Sequence, residues 1–274
     1  MLSACYLKIN RRTTVTTRCL RFWAQTWAGT GARVFLLCDW DADDIAAWVP
    51  AELEYEAVVP SSPRMAELLH DKVAPRWRNA GAAHMTSFEH AAAEGLEEFW
   101  GIDADDTLFL HDPAMIRARL AGVEEWAHAH DADTVSLDFY RTYENHWSFG
   151  VAFTRMSADY VGLVEALDPA DMRATIAAAP AGLIGRRKAG SDVDVPRGID
   201  PQLENIDMVF DHLRLSGEAV LESFYLDDTF FMHAGLVEWR QGEYDRTGET
   251  LRGAYHWKDG LVWDDPIDPA CVKL

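Results

Sequence analysis

The chain has 274 residues, 49% of them hydrophobic and 11 of them Trp, enough to bury one sizeable core. Its formal net charge of -20 and pI near 4.7 argue against a nucleic-acid-binding surface, because phosphate recognition depends on clustered Lys and Arg. An anionic ligand would need local help from a metal ion or a few arginines.

The first half alternates short apolar runs with amphipathic segments: Ala4 to Ile9, Thr13 to Trp27, Arg33 to Leu37, Asp43 to Val49 and Tyr55 to Val59. That β-α-β-α-β order predicts a parallel sheet with right-handed crossovers. In the first helix Val15, Cys19, Phe22, Trp23 and Trp27 share one face, while Arg18, Arg21 and Gln25 take the other. Gly29 and Gly31 end it. Asp41, Asp43 and Asp44 read as capping and dipole-complementing residues at the start of the next helix.

A helix is predicted to begin at Thr86-Ser87-Phe88-Glu89, a capping-box pattern, and to run through Leu96 into a strand at Phe99. That strand delivers Asp103, Asp105 and Asp106 within four positions. Carboxylates this close repel unless a cation or hydrogen-bond donors sit among them, so the cluster suggests Mg²⁺ or Mn²⁺. An acidic turn is the alternative. Open α/β sheets bind ligands at the carboxyl ends of their strands, where this cluster is expected.

Beyond His111-Asp112-Pro113 the pattern predicts a helix to about His130, a strand at Thr134 to Asp138, and another at Ser148 to Thr154. Residues 180 to 200, rich in Gly with Arg186-Arg187-Lys188, read as a flap or a passive linker. Helical periodicity returns from Pro201 to Leu215, with Leu203, Ile206, Phe210 and Leu213 apolar. Cys5, Cys19, Cys38 and Cys271 lack metal-ligand spacing and read as reduced thiols. Neither a signal sequence nor a membrane-spanning stretch is apparent, so the expected location is cytoplasmic.

Taken in order, these pieces resemble the GT-A glycosyltransferases, most closely the inverting family 2, over roughly residues 4 to 235. The resemblance implies an α/β fold, a Rossmann-like, mostly parallel central sheet flanked by helices, with C-terminal acceptor-side additions. It implies a single domain over 1–274: a nucleotide-binding half at 1–112, an acceptor and catalytic half at 113–235, and a C-terminal extension at 236–274. Lys8-Ile9-Asn10-Arg11-Arg12 resembles the family's nucleotide-contacting loop, implicating Asn10 and Arg11. Asp39 matches a residue that contacts base or ribose, and Arg78-Asn79-Ala80-Gly81 resembles an asparagine-glycine segment that brings Asn79 to the nucleotide. Ile102-Asp103-Ala104-Asp105-Asp106 is similar to the DxD motif: Asp103 would hold ribose or metal, Asp105 the metal bridging the diphosphate, and Asp106 would be structural.

In the segment Ile206-Asp207-Met208-Val209-Phe210-Asp211, Asp207 matches the family's general base, although Ile206 stands where a Glu is usual. His233 resembles a histidine that reaches the metal or diphosphate, and Trp147 lies where the acceptor side of the cleft begins. Tyr255-His256-Trp257 is a weaker acceptor candidate. The implied activity is metal-dependent transfer, with Mn²⁺ or Mg²⁺, of a sugar from a nucleotide-diphosphate donor, expected to be a UDP-sugar, to a saccharide or other hydroxyl acceptor with inversion. Two readings compete: a haloacid-dehalogenase-type phosphatase using Asp103-x-Asp105-x-Thr107, and a catalytically inactive GT-A-like binding protein.

Overall fold

In a computed structural model the described residues are 2–10, 12, 16–64, 75–105, 107–109, 112–138, 150–168, 210, 213–214, 216–226, 231–233, 252–256 and 262–266. The elements, in chain order, are β1 (Ala4–Lys8), α1 (Thr16–Trp27), β2 (Val34–Leu37), α2 (Ala42–Trp48), β3 (Glu56–Val58), α3 (Pro75–Ala93) and β4 (Glu98–Asp103). They continue with β5 (Thr107–Phe109), α4 (Pro113–Ala129), β6 (Thr134–Asp138), β7 (Val151–Arg155), α5 (Ala158–Glu165), β8 (Leu221–Leu226), β9 (Phe231–His233), β10 (Arg252–His256) and β11 (Val262–Pro266).

Nine strands form one sheet in the order β11-β10-β8-β6-β7-β4-β1-β2-β3, and β5 pairs with β9 in a second, two-stranded sheet. β1 is parallel to β2 and β4, β2 to β3, and β6 to β8. β7 lies antiparallel between β4 and β6, while β10 runs against both β8 and β11. Thus β7 and β10 oppose the common direction and the sheet is mostly parallel. The run β3-β2-β1-β4 follows the order of a doubly wound sheet, with its switch point between β1 and β4.

Period-two alternation sorts the side chains onto two faces. Cys5, Leu7, Leu36, Trp100, Ile102 and Phe153 pack with the buried residues of α1, α2 and α4. Tyr6, Phe35, Leu37, Phe99 and Ala152 pack on the other side with α3, α5, Phe210 and Leu213. The crossovers carrying α1 and α2 thus share a face, and α3 takes the opposite one, as right-handed connections require when the winding reverses at the switch point.

Helix α1 buries Cys19, Phe22, Trp23 and Trp27 as its periodicity predicts, and Gly29 and Gly31 follow with φ of 70° and 76°, conformations glycine adopts without a Cβ clash. Arg117 of α4 donates to the carbonyls of Thr26 and Gln25 at 2.7 and 2.9 Å, satisfying the end of α1. Asp41 caps α2 by accepting the Asp44 amide at 2.8 Å. Asp112 caps α4, with Pro113 in its first turn.

The helix predicted to begin at Thr86 instead spans Pro75–Ala93. The capping-box residues sit within it, and their polar groups serve other partners. Ser87 Oγ donates back to the carbonyls of Ala83 and His84 at 3.1 and 2.8 Å. Thr86 Oγ1 accepts the Ser61 amide, and Glu89 accepts the Ser62 hydroxyl, tethering the segment after β3. Burial of Met85, Phe88 and Ala91 outweighs the roughly 1 kcal/mol that Gly81 costs a helix interior.

Candidate functional site

The carboxyl ends of β1 and β4 lie side by side, with Lys8 in register with Asp103. Immediately beyond them the Ala104 amide donates to the Lys8 carbonyl at 2.9 Å and the Asp103 amide to the Gly150 carbonyl at 2.8 Å. The Asn10 amide donates to Asp105 Oδ2 at 3.1 Å, and Thr16 Oγ1 donates to the Asp105 carbonyl at 3.1 Å. Trp23 Nε1 donates to the Thr107 carbonyl at 2.7 Å. The acidic turn after β4 is therefore bound to the loop after β1 and to the body of α1.

Asp105 is buried rather than projecting from the turn. Its charge reaches the core: the Cys19 thiol is pushed up to about 12, first by burial and then by Asp105. Asp103 is more open, with 30% of its side chain exposed, and its Oδ1 is a buried atom without a hydrogen-bond partner. A cation or a ligand hydroxyl group can reach this carboxylate only from its exposed side. Asp106 lies outside the described residues.

Two residues absent from the sequence-based site set converge on Asp103. Lys8 is fully buried on the α3 side of β1, its Nζ 3.3 Å from Asp103 Oδ1, a pairing distance without hydrogen-bond alignment. His84 of α3 places Nδ1 2.6 Å from Lys8 Nζ and Nε2 3.5 Å from Asp103 Oδ1. Burial, then the Lys8 charge, holds the His84 pKa well below its ordinary value, so the ring is neutral. Nε2 also lies 3.3 Å from Lys8 Nζ, so both ring nitrogens face the ammonium, and the closer one, Nδ1, accepts from it. Alternation puts Lys8 on the Tyr6 face of a strand buried on both sides, and helical spacing back from Phe88 and Ala91 puts His84 beneath it. Those two periodicities were the available signals.

The other expected positions are dispersed. Asn10 is half-buried where β1 leaves the sheet, and Asp39 is exposed just beyond β2. Arg12 stacks over the Trp40 ring at 4.4 Å and pairs with Asp44, placing a guanidinium beside the carboxyl edge of β2. Asn79 belongs to no loop; it is an exposed residue of α3. His233 is paired with Thr107 in the β5–β9 register, so its backbone lies across from the residue that follows the acidic turn. Arg11, Trp147 and Asp207, like the 180–200 segment, lie outside the described residues. Among the described residues no group of three or more His, Cys, Asp or Glu side chains converges as a metal cage, and no helix is long and apolar enough to cross a membrane.

Cys5, Cys19 and Cys38 are free and buried, as expected of core thiols. Tyr255 and His256, the weaker acceptor candidates, are consecutive residues of β10, paired with Leu226 and Tyr225 of β8.

No family model and no curated protein matches the chain. Among solved structures it is similar to a crystal structure from Desulfovibrio desulfuricans G20, named as a candidate nucleotide-diphospho-sugar transferase. The identity is 12%, covering 81% of this chain and 80% of that one, with a TM-score of 0.38. A superposition this loose assigns neither a family nor an activity.

Proposed function

We propose that the chain is a GT-A-type glycosyltransferase that moves a sugar from a nucleoside diphosphate, expected to be uridine-linked, to a hydroxyl acceptor with inversion. One observation carries this reading: an acidic turn at the end of β4 is hydrogen-bonded to the loop after β1 at the sheet's switch point. A nucleotide lying across those strand ends would meet Asn10 and Arg11 after β1, Asp39 after β2 and Asp103 after β4. Asn79, exposed on α3, would contact it from the flank.

Mn²⁺ or Mg²⁺, held by Asp103 with Asp105 and His233 as further expected ligands, would neutralise the charge that develops on the departing diphosphate. The chain's own carboxylates do the rest. Asp103 accepts a hydroxyl of the sugar nucleotide, and Asp105, through Asn10, fixes the loop that approaches the nucleotide. Asp207 takes the acceptor's hydroxyl proton as the acceptor oxygen attacks the anomeric carbon and the bond to the phosphate oxygen breaks. Trp147 offers an aromatic face to the acceptor sugar.

A haloacid-dehalogenase-type phosphatase would need Asp105 to exchange a proton with the leaving group. Its buried, amide-bound carboxylate is poorly disposed for that task. The test is a panel of nucleotide sugars incubated with Mn²⁺, following release of free nucleoside diphosphate with and without saccharide acceptors. Release from one donor supports the transferase. Binding of a nucleotide without turnover of any donor indicates the inactive binding protein, and Asp103-dependent hydrolysis of simple phosphate esters indicates the phosphatase.

A further inference from the structure

Beside the acidic turn, the carboxyl edge of the sheet carries a second cluster, built on Trp40. Just past the end of β2, Trp40 is half-buried: it packs against the core shared by α1, α2 and α4, and the Trp48 ring meets it at 64° with centroids 6.3 Å apart. The guanidinium of Arg12, from the loop after β1, covers the Trp40 ring at 4.4 Å and pairs with Asp44 of α2. Arg12 and Asp44 keep 36% and 40% of their side chains exposed, so the contacts that hold the guanidinium are solvated ones. An exposed ion pair and an exposed cation–π contact are each weak, whereas a heterocycle stacked on an aromatic ring is held more strongly.

We propose that the Trp40 ring is the stacking platform for the nucleobase and that Arg12 is its placeholder, displaced when the base enters. The inference rests on the nucleotide reading of the strand ends and adds to it the residue that grips the ring. A guanidinium is itself flat, so the face it covers has the shape a heterocycle needs. Trp48 and the core brace Trp40, which holds that face in place before a ligand arrives. Asp39, exposed and adjacent in sequence, supplies a carboxylate that accepts from a ring N–H, which favours a base such as uracil over an apolar ring. Release of Arg12 costs little, since the guanidinium and Asp44 both return to water. Arg12 thereby sets a threshold: a ligand occupies the platform only if its ring outcompetes the guanidinium.

Equilibrium dialysis of UMP and of ribose 5-phosphate, which lacks the base, isolates the contribution of the ring as the ratio of the two affinities. An effect of a substitution on phosphate binding cancels in that ratio. Wild type should prefer UMP. Trp40→Leu should lower the ratio by about fivefold or more while ribose 5-phosphate affinity stays within about twofold. Arg12→Ala should raise the ratio by about threefold or more, and the double variant Arg12→Ala/Trp40→Leu should lose that gain. An unchanged ratio in Trp40→Leu would overturn the platform. A ratio in Arg12→Ala at or below that of wild type would overturn the placeholder, and because Arg12 is exposed this arm decides even if Trp40→Leu fails to fold. UDP with Mn²⁺, measured on the same proteins, separates the failures. UDP bound by wild type with ratios that do not respond condemns the roles of Trp40 and Arg12 alone, whereas no binding of UDP, UMP or ribose 5-phosphate condemns the nucleotide reading and this inference with it.

Discussion

The main-chain amide of Asn10 donates to the carboxylate of Asp105 at 3.1 Å, joining the loop after β1 to the turn after β4. Residues 95 positions apart in sequence thereby share one edge of the sheet. This link explains why an acidic residue at position 105 is buried.

Replacing Asp105 by Ala should leave the Asn10 amide without its acceptor and cost about 1–3 kcal/mol of stability. Asp105→Asn keeps a side-chain oxygen for that amide and should cost less. Urea denaturation gives the two stabilities, and hydrogen exchange at Asn10 reports the link itself. Unchanged Asn10 protection in Asp105→Ala would show that the amide is held by something else.

Glu124 yields a pH-dependent prediction. Its Oε1 accepts from the Ser3 amide at 2.9 Å and from Trp100 Nε1 at 2.7 Å, yet burial raises its pKa above the ordinary carboxylate value of 4.5. Between the unfolded and folded pKa values the native state keeps a proton that the unfolded chain has released. Stability therefore falls as pH rises through that window, by at most about 1.4 kcal/mol per pH unit. Glu124→Gln can keep both hydrogen bonds on its carbonyl oxygen and removes the buried charge. It should melt higher than wild type at pH 7, and the difference should shrink as pH approaches 4.5. A lower melting temperature at pH 7 would mean that the carboxylate charge is itself stabilising.

Hydrophobic periodicity made much of this architecture legible. The β-α-β-α-β opening, the apolar face of α1 and the strands at 99 and 134 all follow from runs whose spacing matches one burial pattern. Phe210 and Leu213, read as apolar positions of a late helix, are both buried in the core on the α3 side. The start of α3 was hidden because Asn79-Ala80-Gly81 carries turn chemistry and Thr86 to Glu89 carries cap chemistry. Tertiary burial of one face overrode both. In the site, the acidic cluster was visible because three carboxylates in four positions are costly without a purpose. Lys8 and His84 were not, since a single cation at a strand end reads as the beginning of a loop. Only the register of β1 against β4 and the packing of α3 bring them to Asp103.

If Asp207 is the general base, Asp207→Asn should retain nucleotide binding while lowering sugar transfer by roughly two to four orders of magnitude. Equilibrium binding measured beside single-turnover transfer separates the two effects. Transfer within a few-fold of wild type would return Asp207 to the role of a solvated helix carboxylate.

A phosphatase of the haloacid-dehalogenase type would form an aspartyl phosphate at Asp103, and beryllium fluoride mimics that species. The transferase reading predicts no beryllium fluoride binding and no phosphomonoesterase activity that depends on Asp103. Phosphate-ester turnover abolished by Asp103→Asn would reassign the first carboxylate as a nucleophile.

The central claim, that the joined ends of β1 and β4 bind a nucleoside diphosphate through Asp103, is tested most directly by thermal unfolding with UDP and Mn²⁺. At a hundredfold excess over Kd, a ligand that binds only the folded state adds about 2.7 kcal/mol. For a domain of this size that corresponds to a rise on the order of 5 °C. The account predicts that rise for wild type with UDP and Mn²⁺ together, and none for Asp103→Ala relative to its own unliganded melting temperature, which should lie below that of wild type because the buried Lys8 ammonium loses its carboxylate partner. Equal rises in the two proteins, or no rise in wild type with any nucleoside diphosphate, would contradict it.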